Sequence, residues 1–438
     1  MTPPDSIALI RQSMPPEGMF RDKEWVLSPA ALPLDEPVLR LIEALGPALR
    51  HFQRACNDLY FESLQNTALR WIAVLLDQGK PPRVIELGRH ERWRTALPGV
   101  LRPDLVLTEN GLAMSELDSL PGGIGLTDWL NQTYSSLGEA VIGGPDGMME
   151  GFAAAFPQED ILVSRESGDY QPEMEWLVQR LNGRPGATPR NVLNPWNLTP
   201  NELHGSSIYR FFELFDLDNV DLSLEMLRMA ELGELSFSPP LKAFLEEKLW
   251  LVLFHHPELR SWWKHRLSPE HLSLLEQVIP QGWVVNPAAL PPHAVMPGLE
   301  AHSWEEVRLF GSRQRELVLK ISGFSEVGWG ARSVSIGHDL SQEEWSQALS
   351  EALASFPNNP YVLQRFHKAR VITHPAWNEA RQSLEDMKAR VRLCPYYFVP
   401  HGSEETRLGG VMATVCPADK KILHGMKDAM MLPCTTMG

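Results

Sequence analysis

The spacing of apolar residues alternates between helical and strand-like periods along the chain, which predicts a mixed α/β fold. Residues 1–37 are rich in proline and predict an irregular, extended surface segment. From residue 38 to about residue 78, apolar positions recur at helical spacing, which predicts two or three helices broken near Gly46-Pro47 and Gln65-Asn66. The apolar run at residues 84–87 predicts a short strand.

A hairpin is predicted at residues 101–118, where two apolar runs flank an Asn-Gly turn. Arg102 and Asp104 stand two apart before the turn, and Glu116 and Asp118 stand two apart after it. Residues two apart share a strand face, so antiparallel pairing gathers three carboxylates and one guanidinium on one patch. The patch has two interpretations: a Mg²⁺ site built from hard oxygen ligands, or a hairpin with solvated charges.

Glycines follow this hairpin at positions 122, 123 and 125, before a helix predicted to begin at its cap, Thr127. Either the glycines allow a phosphate to approach a helix N-terminus, or they form a turn that needs positive φ. Farther on, strands at residues 161–164 and 191–193 alternate with helices at 171–181 and within 216–232. This alternation predicts a small α/β domain.

Two lysines in the C-terminal half are candidates for binding an anion. Lys248 lies on the apolar stripe of a helix predicted over residues 239–257, where it either meets an anion or extends its amine to solvent. Lys320 ends a predicted strand and precedes Gly323, Gly328 and Gly330. A lysine and a glycine loop can hold nucleotide phosphates, although this order is neither a Walker A loop nor a dinucleotide fingerprint.

The remaining pattern predicts a helix at residues 342–356 and strands at 361–366, 371–372, 390–399 and 408–415. Together they predict an antiparallel sheet crossed by one helix. Charged residues in the tail either line a substrate site or are surface charges: Lys420, Lys421, His424 and Asp428.

Composition narrows the class of protein. The 438 residues are 43% hydrophobic and 22% charged, as in globular proteins, and the net charge of −15 argues against a nucleic-acid partner. The four cysteines form no CxxC pair, so neither a zinc knuckle nor a disulfide framework is indicated. No signal peptide and no apolar run of membrane-spanning length is evident. We therefore expect a cytoplasmic protein without a membrane partner.

In this order the motifs resemble those of circularly permuted ATP-grasp carboxylate–amine ligases of the glutathionylspermidine synthetase type. Arg102-x-Asp104 and Glu116-x-Asp118 resemble that family's metal-carboxylate pattern and precede both lysines, as the permutation requires. The hinge strand around Gln364 and Phe366 resembles its adenine-binding strand, and Arg392, with Arg390 as a competing choice, resembles its late arginine. The chain departs from the pattern at Asp118, where the family has asparagine, and at Arg365, where it has glutamate.

The resemblance implies a permuted ATP-grasp fold of α+β and α/β type, with ATP held between two α+β subdomains. It implies four segments: a proline-rich and helical N-terminal segment (1–80), a metal-carboxylate part (81–145), a small α/β substrate-side domain (146–235), and the lysine helix, glycine loop and hinge (236–438).

The function implied is ATP-dependent formation of an amide or peptide bond through an acyl phosphate. Asp104, Glu116 and Asp118 would bind Mg²⁺, and Arg102 and Arg392 would be catalytic. The residues implied for ATP are Lys248, Lys320, Gly323, Gly328, Gly330, Gln364 and Phe366. The alternatives are an inactive ATP-binding partner or regulatory protein, and a small-molecule kinase on the same fold.

The expected partners are a small-molecule carboxylate and an amine, of the amino-acid, peptide or polyamine class. No residue of the sequence identifies either substrate. A homodimer is the default expectation for the oligomeric state.

Overall fold

The computed structural model describes residues 1–15, 25–328, 333–425 and 428–437. Over these ranges the chain divides into two compact units. Unit 1 comprises Met1–Arg50, Ala96–Leu241 and Lys368–Gly438, and unit 2 comprises His51–Thr95 and Lys242–His367. Each unit is therefore assembled from segments that are far apart in the sequence.

The secondary structure of the described residues is mixed. The strands are β1 (Leu32–Leu34), β2 (Val100–Thr108), β3 (Gly111–Asp118), β4 (Asp160–Val163), β5 (Val192–Leu193), β6 (Ser207–Phe211), β7 (Ser236–Ser238), β8 (Gly282–Val285), β9 (Leu317–Ile321), β10 (Ser335–Ile336), β11 (Tyr361–Arg365), β12 (Ile372–Asn378), β13 (Ser383–Phe398), β14 (Arg407–Pro417) and β15 (Met430–Thr436). The helices are α1 (Pro3–Ser13), α2 (Glu36–Gln65), α3 (Arg70–Asp77), α4 (Pro82–Arg89), α5 (Ile124–Ser136), α6 (Gly147–Ala155), α7 (Gln171–Asn182), α8 (Pro200–Leu203), α9 (Ser223–Leu232), α10 (Leu249–Leu253), α11 (Arg260–Arg266), α12 (Pro269–Val278), α13 (Trp304–Arg308) and α14 (Gln342–Ser355). None of the helices in these ranges combines the length and the hydropathy needed to cross a bilayer.

The larger sheet of unit 1 contains the predicted hairpin. Its seven strands in the described chain follow the order β1-β15-β14-β13-β2-β3, and β12 also pairs with β13. The β1–β15 pair is parallel and the remaining pairs are antiparallel. The turn between β2 and β3 contains Glu109 and Asn110 and ends at Gly111, whose φ of 113° is accessible to glycine.

The second sheet of unit 1 is the α/β part that the sequence predicts at residues 161–232. The described strands run in the order β5-β4-β6-β7 and are all parallel. Helix α7 connects β4 to β5, as expected for parallel strands, which need a crossover between them. The side chain of Arg210 is fully buried in this part and donates hydrogen bonds to three carbonyl groups, those of Phe212, Pro239 and Pro240.

Unit 2 contains a four-stranded antiparallel sheet within the described residues, ordered β10-β9-β11-β8. Leu319 and Leu363 on one face pack in a core with Trp345 and Leu349 of α14. The register pairs Lys320 with Val362 and Val318 with Gln364, so these four side chains share the opposite face. Helix α14 begins with a complete capping box formed by Ser341 and Glu344.

Three secondary-structure predictions near the N-terminus are wrong. In each case the residues form a helix although proline, glycine or a short apolar run predicts another structure. Residues 3–13 form α1, since Pro3 stands at the first helical position, where proline is tolerated. Helix α2 continues through Pro47, and the ring of Tyr397 packs where Gly46 leaves room for it. Residues 82–89 form α4 instead of a strand, with Val84 and Leu87 on its buried side.

Three further predictions need correction. Residues 239–257 are not one helix, because the extended Glu247 separates a short 3₁₀ turn, Ala243–Glu246, from α10. The strands predicted as one antiparallel sheet after residue 360 are divided between the units, with β11 in unit 2 and β12 to β14 in unit 1. Helix α5 begins at Ile124, three residues before the predicted cap, Thr127.

Candidate functional site

The hairpin of unit 1 brings its four predicted site residues together. The register places Arg102 opposite Asp118 and Asp104 opposite Glu116. The Arg102 guanidinium lies between two carboxylates: its Nε is 3.2 Å from Asp104 Oδ1, and its Nη2 donates to Asp118 Oδ2 at 3.1 Å. The predicted patch of three carboxylates and one guanidinium is therefore present, and it is partly withdrawn from solvent.

Strand β13 adds a second guanidinium to this cluster. Arg392 donates from Nη1 to Asp104 Oδ2 at 2.8 Å, so Asp104 is held by two arginines. Arg390 lies two residues away on the same strand and instead donates from Nη1 to the carbonyl of Lys420 at 3.0 Å. Of the two candidates for the late arginine, Arg392 is the one that contacts the carboxylate cluster.

The sequence interpretation missed two residues beside Arg392. Cys394 contacts Asp104 Oδ1 through its thiol at 3.3 Å, and Tyr396 donates its hydroxyl to the Gly122 carbonyl at 2.8 Å. Both share the face of β13 that carries Arg392, because residues two apart in a strand point the same way. That period-two pattern was the available signal once Arg392 was a candidate.

Burial and neighbouring charges shift the pKa values of the groups in the hairpin cluster. Burial acts to lower the pKa of Arg102, but the carboxylates of Asp104 and Asp118 outweigh it and the net shift is upward. Burial raises the pKa of the Asp118 carboxyl, and Arg102 offsets only part of that shift. Burial also raises the pKa of the Cys394 thiol to about 12, helped by Asp104. Both arginines therefore stay cationic, and the Cys394 sulfur stays a protonated thiol at neutral pH.

The fit of this cluster to Mg²⁺ is incomplete in the arrangement described. The three carboxylates are suitable ligands in kind. However, Arg102, Arg392 and the Cys394 thiol occupy the oxygens of Asp104, and Asp118 accepts from Arg102 and from the backbone N–H of Leu120. Across the described ranges, no group of three or more His, Cys, Asp or Glu side chains could hold a metal ion. The residues do not fit a bound ion as they stand, and their assignment to Mg²⁺ stays a prediction.

The glycine segment after the hairpin serves the turn. Gly123 has a φ of +87°, and a Cβ there would lie 2.5 Å from the Tyr396 hydroxyl. The buried carboxylate of Glu173 accepts from the N–H groups of Gly123 and Leu126 at 2.8 and 3.2 Å. Glu173 therefore already accepts two N–H groups at the start of α5, and the positive φ of Gly123 supports the turn interpretation.

In unit 2, Lys320 and Gln364 lie on the same sheet face, and both are almost fully buried, with 6% and 2% exposed. The Gln364 Nε2 atom has no hydrogen-bond partner among the described residues. A buried, unsatisfied donor is costly, and most buried polar groups have a partner. The Gln364 amide could therefore donate to an acceptor atom of a ligand at this sheet face, which also carries Lys320.

Lys248 is joined to the end of the strand that carries Lys320. Its backbone N–H donates to the carbonyl of Ser322 at 3.1 Å, and the next N–H, of Leu249, donates to Ser322 Oγ at 2.9 Å. A Cβ on Gly323 would lie 2.9 Å from the Glu246 carbonyl oxygen. The structure therefore brings Lys248, Lys320 and Gly323 into one neighbourhood, and glycine at 323 permits the close approach.

The other residues predicted for the nucleotide are less constrained. Phe366 is half-buried and its ring meets the His338 ring edge-on at 4.8 Å. Gly328 ends a 3₁₀ turn, Glu326–Gly328. Gly330 lies outside the described residues. In the tail, Lys420 is within 3.9 Å of Asp428 and 4.0 Å of Asp419, as expected for surface charge.

No protein-family model matches the chain, and no curated protein matches it in sequence. Among solved structures, the chain is similar to a glutathione synthetase-like effector from Globodera pallida in its apo form. The TM-score is 0.55 at 12% identity, over 94% of this chain and 90% of that one. It is also compared with a provisionally named gamma-glutamylcysteine synthetase from Methylobacillus flagellatus, with a TM-score of 0.39 at 13% identity over 83% and 87% of the chains. The second likeness carries no argument, and the first shows a synthetase-like fold alone.

Proposed function

We propose that this chain is an ATP-dependent ligase that joins a carboxylate to an amine through an acyl phosphate. The observation that carries the proposal is in unit 2, where Gln364 and the buried Lys320 share one sheet face. The Gln364 Nε2 atom has no hydrogen-bond partner in the described part of the chain. Lys248 and Gly323 adjoin the end of the same strand. Together these residues supply a polar anchor, cationic groups and a close backbone approach for a nucleoside triphosphate.

The hairpin cluster supports the group-transfer part of the proposal. Attack of a substrate carboxylate on the terminal phosphoryl group develops charge on the phosphoryl oxygens, and guanidinium groups stabilise such charge. Arg102 and Arg392 are held by carboxylates on the sheet of unit 1, so their orientations are restricted before any substrate binds. An amine would then displace phosphate from the acyl phosphate and leave an amide.

Asp104, Glu116 and Asp118 remain the residues we propose for Mg²⁺, which would neutralise phosphate charge when bound. A Mn²⁺ titration followed by paramagnetic resonance, with and without ATP, tests this assignment. Loss of the bound-metal signal in Glu116→Gln would support it, and an unchanged signal would move the metal elsewhere.

A second candidate function is an ATP-binding protein without ligase activity. The occupied carboxylate oxygens of the hairpin cluster favour it, because a ligase of this kind needs a metal and the described residues hold no preformed site.

The substrate class proposed for the ligase is an amino acid, a peptide or a polyamine. The permuted ATP-grasp arrangement is part of the same proposal.

The deciding experiment incubates the purified chain with ATP, Mg²⁺ and a panel of carboxylates and amines. ADP release is measured together with product mass. An amide product supports the ligase, and a stable phosphorylated product supports a small-molecule kinase. ATP binding in calorimetry without turnover on the panel favours the binding role, and no ATP binding refutes both nucleotide proposals.

A further inference from the structure

Lys80 and Glu247 form a buried ion pair in unit 2, and Glu247 immediately precedes Lys248 in the chain. Glu247 accepts from the Lys80 amine through Oε1 and from the Ser322 hydroxyl through Oε2. Both side chains of the pair are almost completely buried, with 3% and 2% exposed, and Lys80 also donates to the Leu76 carbonyl at 2.6 Å. Removing two charges from water costs several kcal/mol per ion by typical estimates, so a buried pair is weak evidence for a stabilising role.

Ser322 links Glu247 to the backbone near Lys248 and Lys320. Its hydroxyl donates to Glu247 while accepting the N–H of Leu249, and its carbonyl accepts the N–H of Lys248. The same residue stands two positions after Lys320 on the chain. The backbone that carries Lys248 and the strand end that carries Lys320 are therefore fastened at one fully buried residue.

The Lys80–Glu247 ion pair also borders the first two residues after Ser322. A Cβ on Gly323 would lie 3.1 Å from Glu247 Oε2, and the Lys80 amine lies 5.5 Å from the centre of the Phe324 ring. Phe324 has a φ of +46°, a left-handed conformation that is unfavourable for a large side chain and persists only where its surroundings impose it. The ion pair therefore borders the chain at Phe324, where the backbone adopts this unfavourable conformation.

We propose that Lys80 and Glu247 are positioning residues for the phosphate-binding segment, fixing Lys248, Gly323 and Phe324 relative to Lys320. The proposal rests on the proposed nucleotide function, because it assigns the pair a role in that site. The pair acts through Ser322 and Phe324 and does not itself touch the nucleotide.

The test uses the double variant Lys80→Met with Glu247→Leu in the full chain. Apolar replacement of a buried ion pair is often neutral or stabilising, whereas removing one partner leaves an unpaired charge. We expect Lys80→Met alone to be strongly destabilised and the double variant to regain most of the wild-type urea midpoint. The matched control is Lys242→Met, another buried lysine of unit 2, which donates to Asn57 Oδ1 and to the Arg94 carbonyl instead.

Two readouts separate positioning from stability. In the stable double variant we expect the dissociation constant for ATP to rise at least about tenfold, equivalent to about 1.4 kcal/mol. Without nucleotide, we expect faster amide hydrogen exchange in the peptides covering residues 321–328, while Lys242→Met leaves both readouts at wild-type values.

Wild-type exchange at residues 321–328 in the double variant would overturn the inference, and so would recovery of ATP affinity together with stability. Failure of the wild-type chain to bind ATP would refute the proposed function instead, and the exchange measurement would still decide whether the pair fixes this segment.

Discussion

Replacing Gln364 by leucine tests whether the side-chain amide of Gln364 contacts the proposed nucleotide. The amide is 2% exposed and its Nε2 lacks a partner within the described chain. Leaving a buried donor unsatisfied costs about 1–3 kcal/mol, and leucine has a similar size without that donor. We therefore expect Gln364→Leu to leave the free energy of unfolding unchanged or to raise it by about 1 kcal/mol.

The same substitution should weaken nucleotide binding. If the amide donates to an acceptor on the base, its loss removes a hydrogen bond and leaves that acceptor buried without a partner. The expected cost of about 1.4 kcal/mol corresponds to a tenfold higher dissociation constant for ATP. Stability and affinity would then change in opposite directions, which nonspecific damage to the fold does not produce.

Gln53→Leu is the matched control. Gln53 belongs to unit 2, is 4% exposed, and has a side-chain oxygen without a partner in the described chain. Urea unfolding and calorimetric titration of ATP are measured on both variants and on the wild type. Unchanged affinity in Gln364→Leu would refute its contact with the nucleotide. A loss of more than about 1 kcal/mol of stability would show that the amide is bonded within the fold.

Three further predictions concern unit 1 and the pH response. Arg392→Met should cost about 2 kcal/mol in urea unfolding, because Asp104 loses a charged hydrogen bond of 2.8 Å while Arg102 still contacts it. Arg390→Met, whose guanidinium bonds a carbonyl, should cost less than about 1 kcal/mol, and equal losses would contradict this. Gly123→Ala should lower thermal stability more than Gly138→Ala, because both positions have a left-handed φ but only at Gly123 would the added Cβ clash with Tyr396. The reverse order of stabilities would refute this packing argument. Burial lowers the pKa of five histidines in the described ranges, so the unfolded state binds more protons below about pH 6.5. The unfolding free energy should therefore be lower at about pH 5.5 than at about pH 7.5, and a higher value at the acidic pH would contradict this sign. These histidines are His255, His256, His271, His367 and His374.

The hairpin could be predicted from the sequence because its determinants are local. The turn residues predict a short loop, and the alternation of side chains places Arg102 with Asp104, and Glu116 with Asp118, on shared strand faces. Arg102 and Asp118 are only 16 positions apart, but their pairing also depends on a register shift between Asp104 and Leu105, which the turn does not specify. The same reasoning found the strand of Lys320, whose apolar neighbours Leu319 and Ile321 are buried.

The contacts that complete each cluster join residues distant in the sequence. Asp104 and Arg392 are 288 positions apart, and Lys80 and Glu247 are 167 apart. No local pattern specifies such a pair, since it depends on which strands become neighbours in the sheet. Glu173 illustrates the same limit, because its carboxylate occupies the helix N-terminus that the glycine segment made a candidate phosphate site.

The errors in secondary structure arise where packing outweighs a local preference. Pro47 usually ends or kinks a helix, yet α2 continues because Leu45, Leu49 and Phe52 keep one apolar side buried. Conversely, the helical spacing of residues 239–257 is interrupted because Ser322 accepts the N–H groups of Lys248 and Leu249. In both cases tertiary contacts decide between alternatives that the sequence leaves close in free energy.

The net charge of −15 is compatible with binding a triphosphate because affinity depends on the charges nearest the ligand. At physiological ionic strength, exposed charges are screened over about 8 Å, so distant surface carboxylates contribute little. Lys320 is 6% exposed, and a charge in a low-dielectric environment interacts more strongly with a neighbouring anion than one in water. The acidic net charge is therefore compatible with the proposed nucleotide, whose phosphates would meet Lys320 and Lys248.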